Sequence, residues 1–91
     1  MQTIQINVKG RVQGVFYRQS AKEKADSLGI KGTVKNCDDD DSLEIIATGE
    51  KEQLDKLVAW CRVGPPRAAV ADVFVRDLSL QKFNKFSIIR Y

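Results

Sequence analysis

Hydrophobic and polar residues alternate over several short segments of this chain, a pattern that is typical of half-buried β-strands. Ile4, Ile6 and Val8 alternate with polar neighbours and predict the first strand. The segments 30–36 and 43–48 also have strand character, and they flank a short acidic turn. Two strands separated in this way predict a β-hairpin.

Two other segments have the period of an α-helix. Between the first two strands, a helix is predicted by residues at helical spacing, Tyr17, Ala21, Ala25 and Leu28. After the third strand, a second amphipathic helix is predicted by Leu54, Leu57, Val58 and Cys61. Gly29 can end the first helix in a left-handed conformation, and Gly64-Pro65-Pro66 stops the second.

The last third of the chain predicts two more strands. Val73 and Val75 indicate a fourth strand, and the odd step back to Val70 indicates a β-bulge. Phe86 and Ile88 indicate a short terminal strand. The order βαββαβ plus a terminal strand predicts an α+β protein, the ferredoxin-like α/β sandwich, with an antiparallel sheet and two helices on one face. With 91 residues, the chain is expected to form a single domain over residues 1–91.

The composition excludes several kinds of catalytic and metal-binding chemistry. The chain contains no histidine, which excludes a Ser-His or Cys-His nucleophile pair, an imidazole base and a zinc site built on histidine. Charge is unevenly distributed: residues 1–37 carry seven basic and two acidic side chains, a net charge of +5. A basic first third can attract anions, although solvated lysines on helix faces explain the same numbers.

The two cysteines and the absence of a long apolar run bear on location. Cys37 and Cys61 lie 24 residues apart and form no metal-binding pair, so both are expected to be reduced thiols. No apolar run reaches 18 residues and no charged-then-apolar leader opens the chain. We therefore expect a cytoplasmic protein with no membrane partner.

The segment from Gly10 to Arg18 is a candidate anion-binding loop. Gly10 and Gly14 bound a short turn between a strand and a helix, and such a turn can direct successive N–H groups into one hollow. The helix N-terminus adds free N–H groups and about half a positive charge. Arg18 falls in the first helical turn, where the dipole disfavours a cation unless an anion is bound. The plain alternative is a surface arginine beside a loop that only turns the chain.

The same segment resembles a known signature. Residues 10–18 read Gly-Arg-Val-Gln-Gly-Val-Phe-Tyr-Arg. This is similar to the acylphosphatase motif of glycine, any residue, Val-Gln-Gly-Val, any residue, an aromatic residue and arginine. The resemblance implies the ferredoxin-like fold and the hydrolysis of acyl phosphates to a carboxylate and inorganic phosphate. It also implies that Arg18 binds the phosphate and that Asn36 orients the attacking water.

Further matches to the family lie along the whole chain, at Ala25, Leu28-Gly29, Gly32, residues 34–36, Gly64-Pro65, Ala68, Val70, Val73, Phe86 and Ile88. The substrate-binding residues are expected to be those of the loop, Val12, Gln13, Gly14, Val15, Phe16 and Tyr17.

Three positions depart from the family pattern. Tyr17 replaces the usual phenylalanine, Thr33 stands where an aromatic residue is favoured, and the turn at Asp39-Asp40-Asp41 lacks the usual glycine.

Acyl phosphates suit a chain without histidine. Their leaving group is a carboxylate, whose conjugate acid has a pKa of about 4, so it departs without a proton. A phosphate monoester would instead call for a general acid. Phosphoryl transfer leaves mainly positioning and charge stabilisation to the protein, so this scheme requires no metal and no cofactor. We expect a monomer that acts on a small-molecule acyl phosphate.

Other functions are less well supported by the residues. Cys61 and Arg67 have the Cys-x5-Arg spacing of cysteine-dependent phosphatases, but Pro65 and Pro66 remove two N–H donors that a phosphate cradle requires. RNA-recognition modules share the element order, yet the first and third strands here lack the aromatic residues that stack on bases, so no nucleic-acid partner is expected. A non-catalytic, regulatory domain that binds acyl phosphates remains the alternative to an enzyme.

Overall fold

A computed structural model describes residues 1–90 of the chain. Its elements follow in the predicted order: β1 (Gln2–Arg11), α1 (Tyr17–Ser27), β2 (Lys31–Asn36), β3 (Ser42–Gly49), α2 (Lys51–Val63), β4 (Ala69–Leu78) and β5 (Phe86–Ile88). The five strands form one sheet in the order β4-β1-β3-β2-β5. This arrangement confirms the ferredoxin-like α+β class. Neither helix of the described chain has the length and apolar character that a membrane span requires.

The terminal strand differs from the predicted antiparallel arrangement. β1 pairs antiparallel with β3 and β4, and β2 pairs antiparallel with β3, but β5 pairs in parallel with β2. The sheet is therefore mixed. β4 and β5 lie at opposite edges, so the connection between them crosses the sheet and sets the direction in which β5 returns.

That connection is fixed by a small hydrogen-bond cluster over the sheet. The hydroxyl groups of Thr3 and Thr48 lie 2.7 Å apart, and the Thr48 hydroxyl donates to the carbonyl oxygen of Gln81 at 2.7 Å. The backbone N–H of Gln81 in turn donates to the Thr3 hydroxyl at 2.9 Å. These bonds satisfy buried polar groups and hold the crossing segment in place.

The core lies between the sheet and the two helices, where the predicted alternation is confirmed. Its buried side chains on β1 and β3 are Ile4, Ile6, Val8, Leu43, Ile45 and Ala47. The helices contribute Tyr17, Ala21, Ala25, Leu54, Leu57 and Cys61. Burying such apolar side chains is the main stabilising contribution to a domain of this size.

The end of α1 has the predicted glycine conformation. Gly29 has φ 74°, and its N–H donates to the Asp26 carbonyl at 3.1 Å. The N–H of Ile30 donates to the Ala25 carbonyl at 2.9 Å, which completes a Schellman motif. The chain therefore turns directly from α1 into β2.

A bulge where β1 faces β4 sets the start of the loop before α1. Lys9 pairs with Asp72 while Gly10 pairs with Val70, so one residue of β4 is left over, as the sequence indicated. Gly10 has φ 129°, and a Cβ atom there would overlap the carbonyl oxygen of Ala69. Only glycine fits this close approach of two backbones.

The β2–β3 turn forms without a glycine. Asp40 takes the left-handed conformation with φ 66°, which aspartate tolerates better than most residues. The carboxylate of Asp39 accepts hydrogen bonds from the Ser42 hydroxyl at 2.7 and 2.8 Å and from the Asp41 N–H at 3.3 Å. The Ser42 hydrogen bond is the main reason that the pKa of Asp39 is lowered. The turn is thus ordered by its own side chains.

We expect Asp40→Gly to stabilise the protein by about 0.5 kcal/mol, because glycine removes the left-handed strain but adds freedom to the unfolded chain. Thermal unfolding should show a Tm higher by about 2–4 °C. Asp38→Gly is the matched control, since the backbone of Asp38 is not in the positive-φ region. A lower Tm for Asp40→Gly would contradict this account of the turn.

Candidate active site

A pocket of about 420 Å³ opens where α1 begins and β2 ends. Its lining residues are Val12, Gly14, Phe16, Tyr17, Arg18, Gln19, Asn36 and Arg90. The pocket therefore brings together Arg18 and Asn36, the two residues to which the resemblance assigns the chemistry. Two of the lining residues within the described chain are arginines and none is a carboxylate, so the pocket favours an anion.

The loop reaches α1 through two left-handed residues. Gly14 has φ 71° and Phe16 has φ 63°, and the Phe16 carbonyl accepts the first hydrogen bond of the helix from the Ser20 N–H at 3.0 Å. The backbone N–H groups of residues 14–19 donate to no oxygen within residues 1–90. Val12 lines the pocket, but its N–H already donates to the Gly10 carbonyl at 3.0 Å. The unpaired donors therefore begin after Val12.

Gln13 and Val15 do not line the pocket. The Gln13 side-chain amide donates to the carbonyl oxygens of Cys37 at 2.9 Å and Ser42 at 2.7 Å, and it thereby ties the loop to the β2–β3 hairpin. Val15 is buried in the core. Both side chains hold the loop in position, and only their backbone groups remain available to a ligand.

Arg18 lies in the first turn of α1 and is half-buried. Its guanidinium donates a long hydrogen bond of 3.5 Å to the carbonyl oxygen of Ile89, just after β5. The Ile89 N–H donates to the Val34 carbonyl of β2 at 2.8 Å, so this support is itself anchored to the sheet. Within residues 1–90, Arg18 forms no ion pair, and its charge is not neutralised there.

Asn36 is the last residue of β2 and pairs with Leu43 of β3. Its side-chain oxygen Oδ1 is buried and has no hydrogen-bond partner among the described residues. A buried acceptor without a donor costs about 1–3 kcal/mol. Buried polar atoms usually have a partner, and no described protein group supplies one here.

Tyr17 connects the pocket to the second helix. Its hydroxyl, which the family pattern lacks, donates to the backbone carbonyl of Cys61 at 2.8 Å in the last turn of α2. Its ring packs edge-on against Trp60, with centroids 5.2 Å apart and an interplanar angle of 62°. Burial raises the pKa of the Tyr17 hydroxyl, which therefore stays protonated and keeps donating.

The environment of Cys61 bears on the rival Cys-x5-Arg interpretation. The thiol is buried in the core, and burial raises its pKa to about 12. A nucleophilic cysteine needs a thiolate and an exposed position. Cys61 has neither, so it packs the core.

Two residues of the pocket were missed by the sequence reasoning. Gln19 follows Arg18 in the first turn of α1, and that position could have suggested it. Arg90 lies beyond β5 and reaches the pocket only because β5 pairs with β2. No local signal in the sequence marks Arg90.

Comparisons with known proteins agree with this geometry. The family model described as Acylphosphatase matches residues 4–88. The chain is 44% identical over 91 residues to an acylphosphatase of Methylococcus capsulatus, covering 99% of this chain and 98% of that one. The crystal structure of acylphosphatase from Bacillus subtilis superposes with a TM-score of 0.94 at 37% identity, covering 99% of this chain and 100% of that one. The structure of an acylphosphatase from Coxiella burnetii gives a TM-score of 0.93 at 35% identity, covering 97% and 92%.

The chain belongs to the acylphosphatase family, since both the family model and the relatives cover nearly its whole length. Within that family it is an acylphosphatase enzyme, as its relatives and structural neighbours indicate.

The contact of Gln13 with the hairpin gives a test of loop anchoring. Gln13→Glu is expected to lower the free energy of unfolding by about 1–3 kcal/mol at neutral pH, because a carboxylate cannot donate to the Cys37 and Ser42 carbonyls. Protonation restores one donor, so the pKa of the introduced carboxyl should be raised in the folded state. The loss should therefore be smallest below the unfolded pKa of about 4.3 and should grow as pH rises through the folded value.

Urea unfolding between pH 4 and 8 measures this effect. Gln13→Ala is the control, because its difference from the unsubstituted protein should not change with pH. A pH-independent difference for Gln13→Glu would show that the side chain does not make these contacts in solution.

Proposed function

We propose that this acylphosphatase hydrolyses small-molecule acyl phosphates to a carboxylate and inorganic phosphate in the pocket at the start of α1. Arg18 and the backbone N–H groups after Val12 hold the phosphate, and Asn36 orients the attacking water. The observation that carries this assignment is that Arg18 and Asn36 line one pocket, beside N–H groups at the start of α1 that have no acceptor within residues 1–90. Both side chains border one pocket of about 420 Å³, which has room for a phosphate group and a water molecule together.

Binding of the phosphate rests on charge-assisted hydrogen bonds. The N–H groups of residues 14–19 have no acceptor within residues 1–90, and the helix dipole adds positive potential at the same place. The guanidinium of Arg18 supplies two further donors in a planar fork that matches phosphate oxygens. The charge of the transferring phosphoryl group is spread over its oxygens, and these donors stabilise it.

Attack requires a water molecule in line with the bond that breaks. The side-chain amide of Asn36 hydrogen-bonds to this water, which fixes its position and turns a lone pair towards phosphorus. The amide is neutral and too weak a base to remove the proton, which passes to a phosphate oxygen. The acyl phosphate dianion and one water thus give a carboxylate monoanion and dihydrogen phosphate.

The leaving group completes the scheme. The bond from phosphorus to the acyl oxygen breaks with its electron pair on the carboxylate, whose conjugate acid has a pKa of about 4. No general acid is needed for this departure, which suits a chain without histidine. No step calls for a metal ion or a cofactor.

The proposed enzyme acts as a cytoplasmic monomer built as one domain. One chain brings Arg18, Asn36 and the loop before α1 to the same pocket, which is consistent with a monomer. Cys37 and Cys61 are both free thiols, which fits a reducing compartment.

The proposed reaction predicts a selective, chelator-resistant activity. The chain should hydrolyse benzoyl phosphate at the same rate with and without a metal chelator, because the protein's own donors supply the positive charge. It should leave para-nitrophenyl phosphate essentially unchanged, since that leaving group departs less readily than a carboxylate. Binding of benzoyl phosphate without turnover would instead favour the alternative that this chain is a non-catalytic, regulatory domain that binds acyl phosphates.

The two key residues should divide binding and turnover between them. Arg18→Ala should weaken competitive inhibition by inorganic phosphate by about 100-fold or more, because two charge-assisted hydrogen bonds of about 1.5–3 kcal/mol each are lost. Asn36→Ala should leave phosphate binding nearly unchanged and lower kcat by about 100-fold, because the water loses its alignment. It should also leave the Tm unchanged or higher, since it removes an unpartnered buried acceptor.

Matched variants separate these roles from general effects. Arg67→Ala removes the same charge from an exposed position outside the pocket and should not alter inhibition by phosphate. Asn7→Ala changes an asparagine of β1 outside the pocket and should not alter kcat. Equal losses of binding and turnover in Asn36→Ala would overturn the proposed division.

A further inference from the structure

Phe16 combines a strained backbone conformation with an exposed side chain. Its backbone has φ 63°, a left-handed conformation that is an outlier for a bulky side chain. Its side chain is 73% exposed, so the ring gains little from burial. Although it is the N-cap of α1, it makes no side-chain capping hydrogen bond.

The stability of the fold therefore does not explain why phenylalanine stands at position 16. Glycine or asparagine takes the left-handed conformation with less strain, and asparagine can also cap a helix. The loop path needs only the backbone of Phe16, whose carbonyl accepts the Ser20 N–H at 3.0 Å. Strain that the fold does not require is often associated with function.

The position of the ring suggests what it contacts. Phe16 lines the same pocket as Arg18 and Asn36. The other lining residues with exposed side chains within the described chain are Gln19 and Arg90, which are polar, so Phe16 supplies the apolar surface at the mouth of the pocket. Once the phosphate is held by the loop, the rest of a substrate has to extend past this mouth.

We propose that Phe16 is a specificity-determining residue that contacts the acyl group of the substrate and favours acyl phosphates with apolar, aromatic acyl groups. This inference rests on the proposed function, because it places the phosphate of the substrate at Arg18. The ring acts on the leaving half of the substrate, whereas the unpaired N–H groups act on the phosphoryl half. Stacking or edge contact between two rings raises affinity about three- to tenfold.

The test compares two substrates that differ in the acyl group alone, benzoyl phosphate and acetyl phosphate. In Phe16→Ala, the ratio of kcat/KM for benzoyl phosphate to that for acetyl phosphate should fall about three- to tenfold, with most of the change on benzoyl phosphate. Phe16→Leu should lower the ratio less, because it keeps an apolar side chain. Changes in the loop backbone affect both substrates and cancel in the ratio.

Phe74→Ala is the matched control. Phe74 is also a largely exposed phenylalanine, with 56% of its surface accessible, but it lies on β4 and outside the pocket. Its replacement should leave the ratio unchanged. An unchanged ratio in Phe16→Ala, or an equal loss for both substrates, would overturn the proposal.

A binding measurement separates this proposal from the proposed function. Benzylphosphonate and methylphosphonate mimic the two substrates without being hydrolysed, and calorimetry gives their affinities. If the chain turns over neither acyl phosphate but Phe16→Ala still abolishes a preference for benzylphosphonate, the contact stands and the proposed reaction fails. If turnover is normal and the preference is absent or unaffected by the substitution, the proposed reaction stands and the role of Phe16 fails.

Discussion

Polar groups that the fold leaves unpaired are the constraint on which this structure depends. The N–H groups at the start of α1 find no acceptor within residues 1–90, and the Oδ1 of Asn36 finds no donor there. Much of the surrounding structure keeps these groups together. The Gly10 N–H donates to the Asp41 carbonyl at 2.9 Å, and Gln13 bridges the loop to both ends of the hairpin turn. The unfavourable local energies are offset by the well-packed core beneath them.

Much of the fold followed from periodicity. Ile4, Ile6 and Val8 are all buried, as their alternation predicted, and the bulge near Val70 lies where the odd spacing indicated. The direction of β5 did not follow, because three residues carry no signal for parallel or antiparallel pairing. That direction depends on a connection crossing the sheet, which is a property of the whole topology.

The site was predictable to the extent that it is local in the sequence. The loop, the start of α1 and the place of Arg18 follow from glycine spacing and helix chemistry, and the nomination of Asn36 came from family resemblance. The roles of the Gln13 amide and of Arg90 did not follow, because each depends on a partner brought near by tertiary structure. The left-handed backbone of Phe16 was also not predictable, because a bulky residue rarely adopts a positive φ.

The support of Arg18 by Ile89 links residues 71 positions apart. Bringing two such distant residues together costs loop-closure entropy, which docking of the final strand offsets. The Arg18 guanidinium therefore contacts the Ile89 carbonyl only when the sheet is complete. A partly folded chain would carry the whole loop motif without a rigid place for its positive charge. The position of this charge is therefore a property of the completed sheet, and the loop motif alone does not provide it.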